Sequence, residues 1–297
     1  MSGGVAGEVF SGQDARRGIA WMLLTMGLFV TMDGLAKWLT QSYPVPQVIW
    51  ARYAFHFGLL ALFLNWRLIA TLRTRNLKLQ IGRSLLLVAT TTLFFFGISQ
   101  VQLATASALM FVAPLLVTLL SIPLLKEQVG PRRLASVAVG FFGALVILRP
   151  GDELFDLAAL LPLGAACTYA VYQIATRVLS AVDAPLTTLV YTALVGAVLS
   201  SFVVPFVWQT PDLLGWGVML AVGGFGAVSQ FCLIKAFQAA PASTVTPFGY
   251  SAILWATLYG WLLFAELPDS WTLIGAAVIV ASGLYIWHRE HRVIAQR

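Results

Sequence analysis

Charged side chains inside long apolar stretches are the residues of this sequence that could do chemistry. Asp33 lies in the first such stretch, and Arg52 lies in the second. An ionisable group in an apolar setting is costly, so it normally pairs with another group, contacts water or binds a solute. Asp33 and Arg52 lie at matching depths, so they form either an ion pair or gate, or a direct site for substrate or protons. Lys37, one helical turn from Asp33, could compete for the same carboxylate.

Polar and aromatic residues near mid-depth form a second group of candidates. His56, one turn deeper than Arg52, is either a hydrogen-bonded helix contact or a proton relay. Aromatic faces with a few polar tips are typical of pockets for amphipathic solutes, although the same residues can simply join helices by packing and hydrogen bonds. The predicted substrate-binding residues are Thr91, Tyr169, Gln173, Ser229, Gln230, Tyr250 and Trp255.

Two prolines and two glutamates mark corresponding apolar stretches in the two halves of the chain. Pro114 and Pro247 fall inside these stretches, where each removes a backbone N–H and permits a bend. The bend is either static or a hinge for gating. Glu127 and Glu266 follow the same two stretches, and we expect both carboxylates to lie in water.

Transmembrane helices are the elements that must position these residues. The chain has 297 residues, of which 59% are hydrophobic and only 10% charged, and its mean hydropathy is +0.86. A soluble domain carries about 25% charged residues, and a helix crosses a bilayer with about 20 apolar residues. The predicted fold class is an all-α integral membrane protein with ten transmembrane helices. Their predicted ranges are 18–39, 46–65, 80–101, 103–125, 133–149, 156–179, 186–207, 212–237, 241–264 and 271–288.

The distribution of basic residues predicts the orientation of the chain. With the N-terminus in the cytoplasm, all of the 18 lysines and arginines except Lys37, Arg52 and Arg149 fall on the cytoplasmic side. Membrane proteins show this bias because positively charged loops stay inside. The bias therefore explains the net charge of +6 without a nucleic-acid partner. We expect a multi-pass protein in the lipid bilayer, with both termini cytoplasmic.

The two halves of the chain repeat each other at an offset of about 139 residues. Val45-Pro46 and Ala184-Pro185 each open a predicted span, and residues 102–107 resemble residues 238–243. Because each half has five spans, the second half must enter the membrane from the opposite side. Inverted repeats of this kind are typical of secondary transporters, whose substrate site lies between the halves. The predicted units are a cytoplasmic segment 1–17, repeats 18–149 and 150–288, and a cytoplasmic tail 289–297.

Motifs in the fourth and ninth predicted spans carry a family resemblance. They are Pro114, thirteen residues before Glu127, and in the ninth span Pro247-Phe248-Gly249-Tyr250-Ser251, Trp255, Gly260-Trp261 and Phe264-Ala265-Glu266. With these motifs the whole chain resembles the EamA-type, ten-span branch of the drug/metabolite transporter superfamily. It is most similar in character to bacterial amino acid exporters, above all those for aromatic amino acids. The resemblance implies a basket of helices around a central cavity, with the fifth and tenth spans at the periphery. It also implies a location in the bacterial inner membrane.

The predicted function is secondary transport of a small metabolite by alternating access. Export of an amino acid, with aromatic amino acids foremost, is the first hypothesis. Uptake of a nucleoside-like metabolite such as S-adenosylmethionine is the alternative within transport, and a passive pore or an integral-membrane enzyme are the other classes. The sequence contains no phosphate-binding loop, no HExxH or GxSxG motif and no carboxylate cluster at metal-ligand spacing. We therefore expect no enzymatic activity, no cofactor and no metal.

Overall fold

The structure is a computed structural model that describes residues 12–126, 129–149, 157–180, 182–240 and 242–294. Regular elements in these ranges are all helical, and they follow the ten predicted spans in order. Spans 1 to 3 are Gly12–Leu39, Val45–Leu64 and Leu77–Ile98, span 4 consists of Leu103–Met110 and Ala113–Leu125, and span 5 is Pro131–Leu148. Span 6 is Leu160–Leu179, span 7 is Pro185–Val203, span 8 is Leu213–Ala239, and span 10 is Ser270–Ile294. Span 9 consists of Ala242–Val245, the 3-10 segment Thr246–Ser251 and the helix Ala252–Phe264.

Smaller helical elements flank these spans. A short helix, Arg67–Thr71, follows span 2, and 3-10 turns precede span 6 at Leu157–Ala159 and follow span 7 at Val204–Phe206. Eight of the described segments are long and apolar enough to cross a bilayer. Spans 5 and 9 fall outside that group, because the apolar part of span 5 is the shorter Leu134–Leu148 and span 9 is interrupted.

Local sequence signals set where several spans begin. The side chain of Asn76 accepts a hydrogen bond from the Leu79 N–H (3.1 Å) at the start of span 3, and Asp212 caps span 8 through the Gly215 N–H (2.7 Å). These side chains satisfy backbone donors that have no partner within the first turn of a helix. Spans 5 and 7 begin at Pro131 and Pro185, where the missing N–H of proline costs nothing.

The alternating direction of the spans gives the bundle two ends. The connections that follow spans 2 and 6 lie at one end, which we call the Asp183 end. The connections that follow spans 1, 3, 7 and 9 lie at the other end, which we call the Glu266 end.

Helix packing relates the two halves by an approximate two-fold operation that exchanges each span with the one five places later. Span 1 packs on span 8, and correspondingly span 6 packs on span 3. The contact of span 2 with span 8 corresponds to that of span 7 with span 3, and span 1 with span 9 corresponds to span 6 with span 4. Spans 2 and 7, 4 and 9, and 5 and 10 each pack on their own counterpart. The predicted inverted five-helix repeats are therefore confirmed.

Spans 4 and 9 are both interrupted at the predicted prolines. Span 4 breaks at Phe111 and Val112, and its second helix begins with Pro114 in the first turn. Span 9 passes through the 3-10 segment that contains Pro247 before it becomes α-helical again at Ala252. The sequence predicted bends within continuous spans, and the structure instead has discontinuous helices at matching positions. A hinge motion at either proline stays a prediction.

Candidate substrate site

Arg52 projects from span 2 into a half-buried position between aromatic rings. Its Nη1 donates a hydrogen bond to the Thr91 hydroxyl of span 3 (2.8 Å). The guanidinium carbon lies 5.4 Å from the centre of the Tyr53 ring and 5.3 Å from that of Phe95, which is a cation–π arrangement. Tyr53 shares the Thr91 hydroxyl through a 2.7 Å hydrogen bond. Arginine has five N–H donors, so most of those on Arg52 remain without a protein acceptor within the described ranges.

Asp33 of span 1 is half-buried and lies close enough to interact electrostatically with Arg52. The two side chains do not make the direct ion pair that was one of the predicted alternatives, because no described atom pair between them lies within 4.0 Å. In the described part of the chain the Asp33 carboxylate also accepts no hydrogen bond. An acidic and a basic side chain, each with free hydrogen-bonding capacity, therefore lie near each other in the interior of the bundle.

His56 is buried where span 2 packs tightly on span 8. A side chain added at Gly223 would lie 2.4 Å from the Phe55 Cβ and 2.9 Å from the His56 backbone nitrogen, so only glycine allows this approach. The Nε2 atom of His56 is buried and has no hydrogen-bond partner among the residues that the structure describes. The structure thus makes His56 part of a helix contact, and proton transfer by His56 stays a prediction.

A second buried arginine, Arg83 in span 3, was missed as a candidate. The sequence analysis assigned it to the cytoplasmic basic group, whereas it is 4% exposed. Its guanidinium donates to the hydroxyls of Thr176 (2.6 Å), Thr192 (2.7 Å) and Tyr172 (2.5 Å), and to the Thr188 carbonyl oxygen (3.3 Å). These acceptors come from spans 6 and 7, so Arg83 joins three helices. The available signal was the set of threonines in two otherwise apolar spans.

Two stacked tyrosines of span 6 lie near both arginines. The rings of Tyr169 and Tyr172 in span 6 are 5.5 Å apart and nearly parallel, with an interplanar angle of 17°. Tyr172 contacts Arg83, and Tyr169 interacts electrostatically with both Arg52 and Arg83. Of the predicted site residues, Thr91 therefore contacts Arg52 directly, and Tyr169 lies within electrostatic range of it.

The remaining predicted site residues lie in other environments. Ser229 is fully buried and its hydroxyl donates to Gly226 in its own helix (3.1 Å). Gln173 and Gln230 are half-buried and have no hydrogen-bond partner within the described chain. Tyr250 packs 5.1 Å from the Phe111 ring, with its hydroxyl against Gly283 of the peripheral span 10.

Trp255 of span 9 packs on span 1. Its ring lies against Gly27, where an added Cβ would be 3.4 Å away, and it stacks on Tyr259 with 6.4 Å between ring centres. The Thr31 hydroxyl is hydrogen-bonded to the Tyr259 hydroxyl (2.8 Å) and fastens the same interface. These contacts place Trp255 in the packing between spans 1 and 9.

At the Glu266 end the bundle is held by charges from both halves. Lys37 of span 1 is 6% exposed, and its Nζ lies 2.6 Å from Glu266 Oε2 and 2.9 Å from the Val101 carbonyl oxygen. Glu266 therefore pairs with Lys37 rather than lying free in water as predicted, and Lys37 does not compete for Asp33. Arg149 forms an ion pair with Asp269 at the same end. The prediction for Glu127 falls outside the described residues.

Gln47 and Gln209 add a reciprocal pair of hydrogen bonds at the Glu266 end. The Gln47 side-chain amide donates to the Gln209 carbonyl oxygen (2.7 Å) and accepts from the Gln209 N–H (2.9 Å). Gln47 is fully buried, so both bonds form away from water. They tie the start of span 2 to the connection between spans 7 and 8.

At the Asp183 end a single carboxylate joins the loop before span 3 to the loop before span 7. Asp183 accepts hydrogen bonds from the Thr74 hydroxyl, the Arg75 N–H (3.1 Å) and the Gln80 amide (2.8 Å). Partial desolvation alone would raise the pKa of Asp183, but these hydrogen bonds and the Arg75 charge outweigh it and lower that pKa below its ordinary value. Polar contacts between distant parts of the chain are therefore present at both ends of the bundle.

The family of the chain follows from comparison with known sequences. Residues 16–149 and residues 156–287 each match the EamA-like transporter family. The chain belongs to this family, and the predicted resemblance is confirmed.

Relatives with established names are similar over almost the whole chain. An S-adenosylmethionine uptake transporter of Rickettsia felis is 28% identical over 94% of this chain and 95% of its own length. A riboflavin transporter of Vibrio cholerae is 31% identical (92% and 94% covered), and a pseudopaline exporter of Pseudomonas aeruginosa is 26% identical (90% and 94% covered). A crystal structure with 20% identity has the same fold, with a TM-score of 0.63 over 90% of this chain and 94% of that one. The chain is thus a multi-pass bacterial membrane protein that transports a small metabolite.

Proposed function

We propose that the chain transports a metabolite that carries an α-amino-acid group and a planar ring, and that S-adenosylmethionine, taken up into the cell, is the first candidate. The observation that carries this proposal is the unpaired Asp33 carboxylate beside the incompletely bonded Arg52 guanidinium. A zwitterionic α-amino acid presents an ammonium and a carboxylate a few bonds apart. It would therefore supply the partner that each of the two side chains lacks.

Arg52 is suited to the carboxylate of such a substrate. A guanidinium binds a carboxylate through two parallel N–H donors, and the nearby Tyr53 and Phe95 rings would help to hold the guanidinium in place. Thr91 anchors one nitrogen and leaves the others free. Asp33 would then receive the ammonium group.

The tyrosines of span 6 are suited to the rest of the substrate. The half-buried Tyr169 ring, stacked on Tyr172, offers an aromatic face for an adenine ring or for the sulfonium cation of S-adenosylmethionine. Riboflavin has a ring but lacks an ammonium and a carboxylate, so it would leave both charges unpaired. An aromatic amino acid, exported from the cell, is the second candidate because it presents the same charges and a ring in a smaller molecule.

Alternating access would use the contacts at the two ends of the bundle. The Lys37–Glu266 pair at one end and the Asp183 hydrogen bonds at the other would break in turn as the inverted halves rock about the site. The interrupted spans 4 and 9 would supply the bend. We further propose that the Asp183 end faces the cytoplasm, as the excess of basic residues at that end indicates.

Counterflow in proteoliposomes tests the proposed substrate. Vesicles preloaded with unlabelled S-adenosylmethionine should accumulate the labelled compound transiently against its gradient, and excess methionine should compete whereas riboflavin should not. Arg52→Gln should raise the half-saturating concentration by about 30-fold, which corresponds to about 2 kcal/mol, because the carboxylate loses its ionic partner. Asp33→Asn should also weaken transport. The exposed Arg73→Gln is the matched control and should transport normally.

Each other outcome has a definite meaning. Uptake without counterflow would indicate a pore, and counterflow of phenylalanine alone would favour the second candidate. Counterflow of riboflavin that survives Arg52→Gln and Asp33→Asn would overturn the proposed site.

A further inference from the structure

A groove lies on the outside of the bundle between spans 5 and 10, away from the proposed substrate site. Its volume is about 470 Å³, within the range of about 300–1,000 Å³ that is usual for small-ligand pockets. Four residues of each span line it: Arg132, Ala135, Ser136, Val139, Val278, Ala281, Ser282 and Tyr285. None of the predicted site residues is among them. The two helices touch at Gly143 and Gly275, where an added Cβ on Gly143 would lie 2.8 Å from the Gly275 carbonyl oxygen, and the groove opens beyond this contact.

The floor of the groove is apolar although two serines line it. The Ser136 hydroxyl donates to the Arg132 carbonyl oxygen (3.1 Å), and the Ser282 hydroxyl donates to the Ser136 carbonyl oxygen. Both hydroxyls are thus bonded to the protein backbone. The surface that remains is formed by alanine and valine side chains, which favour a hydrocarbon chain.

Polarity is confined to one end of the groove. Arg132 is exposed, and Tyr285 is 46% exposed on the facing helix, at the level of the Asp183 end. Val139 and Val278 line the opposite part of the groove. Seven residues separate Arg132 from Val139, so the groove runs about 10 Å along span 5 from a cationic mouth into an apolar channel. A tyrosine and an arginine at one level are typical of the membrane–water boundary.

We propose that this groove binds one anionic phospholipid of the bilayer. The phosphate lies at the Arg132 guanidinium, the Tyr285 hydroxyl is available to the headgroup, and an acyl chain lies between Val139 and Val278. A lipid is the fitting occupant because the groove lies between two apolar helices, Leu134–Leu148 and Ser270–His288, of a multi-pass membrane protein. The charge of Arg132 selects an anionic headgroup over a zwitterionic one.

Lipid titration of the purified protein tests this proposal. Thermal unfolding is measured in detergent with added phosphatidylglycerol or phosphatidylcholine, and native mass spectrometry counts the lipids retained. Phosphatidylglycerol should raise the melting temperature by several degrees more than phosphatidylcholine, and one such lipid should stay bound. Arg132→Gln should remove most of this difference, whereas Lys78→Gln, an exposed lysine at the same end of the bundle but outside the groove, should keep it.

A second variant tests the acyl-chain position without touching the charge. Val139 is 53% exposed, so Val139→Trp fills the groove without disturbing the core. It should abolish retention of the lipid in the mass spectrum. Equal effects of the two lipids, or an Arg132→Gln protein that responds like the wild type, would overturn the proposal. Transport of the substrate bears on neither result, so this proposal and the proposed function fail separately.

Discussion

Arg52 and Arg83 are the same residue type on neighbouring spans, yet their surroundings differ in one decisive respect. Arg83 makes four hydrogen bonds to spans 6 and 7, whereas Arg52 makes one, to Thr91. Neither has a carboxylate within 4.0 Å among the described residues. A buried arginine whose donors are used holds helices together, and one whose donors are free can bind a ligand.

The acceptors around Arg83 explain why its charge is tolerated without a counter-ion. The Thr176 hydroxyl donates to the Tyr172 carbonyl oxygen (2.7 Å), and the Thr192 hydroxyl donates to the Thr188 carbonyl oxygen (2.8 Å). Each hydroxyl therefore has its proton on its own helix and turns its oxygen lone pairs to the guanidinium. Several such hydroxyl dipoles stabilise the Arg83 cation, whereas Arg52 has only the Thr91 hydroxyl as an acceptor.

The two-fold relation of the halves sharpens this contrast. Arg83 lies where spans 3, 6 and 7 meet, and the corresponding junction in the other half is that of spans 8, 1 and 2. In that junction span 2 approaches span 8 at Gly223, where an added Cβ would lie 2.4 Å from the Phe55 Cβ. Equivalent helix junctions in the two halves thus contain different side chains.

The largest expected effect is a difference in protein stability between variants of the two arginines. Arg83→Leu should lower the free energy of unfolding by about 3 kcal/mol, because it removes hydrogen bonds between three spans and leaves the Tyr172 hydroxyl without a partner. Arg52→Leu should cost only about 1 kcal/mol. Denaturant titration in mixed micelles measures both. Equal losses for the two variants would remove the distinction between a structural and a ligand-binding arginine.

A smaller effect should come from the residue that orients Arg52. Thr91→Val removes the single hydrogen-bond acceptor of Arg52. It should weaken substrate binding about fivefold, or about 1 kcal/mol, with little change in the transport rate at saturation. Thr90→Val is the matched control, since Thr90 bonds to Thr168 and to the Leu86 carbonyl instead. Equilibrium binding by isothermal titration calorimetry distinguishes them. If both variants bind alike, Thr91 does not position Arg52.

The smallest effect concerns the Asp183 end, where the polar contacts are more exposed than those of Arg83. The pKa of Asp183 is lower in the folded protein than in the unfolded chain, where it is about 3.9. Ionised Asp183 therefore stabilises the folded protein above that pH, and this stabilisation is lost as the pH falls through the folded-state pKa. Asp183→Asn should therefore melt slightly lower than the wild type at pH 7, and the difference should shrink below about pH 4. A melting difference that is constant from pH 7 to pH 3 would contradict this assignment.

Sequence reasoning predicted most of the fold and part of the candidate site. Span lengths and the repeat follow from hydrophobicity along the chain, and the polar residues Asp33 and Arg52 stand out within it. Arg83 escaped notice because span 3 begins at Leu77 rather than near residue 80, which places Arg83 a further turn inside the helix. Because Arg83 follows a basic loop, it was counted among the residues that set the orientation of the chain. Its burial depends on threonines of spans 6 and 7, which are distant in the sequence.

The sequence by itself determined that ten apolar helices form two halves of opposite orientation, because lipid requires each spanning segment to satisfy its backbone within itself. The tertiary structure alone decided which polar side chains meet. Lys37 and Glu266 are 229 residues apart, and Arg83 and Thr192 are 109 residues apart. Contacts at such separations depend on the rotation of each helix about its axis, which small residues such as Gly223 and close packing set.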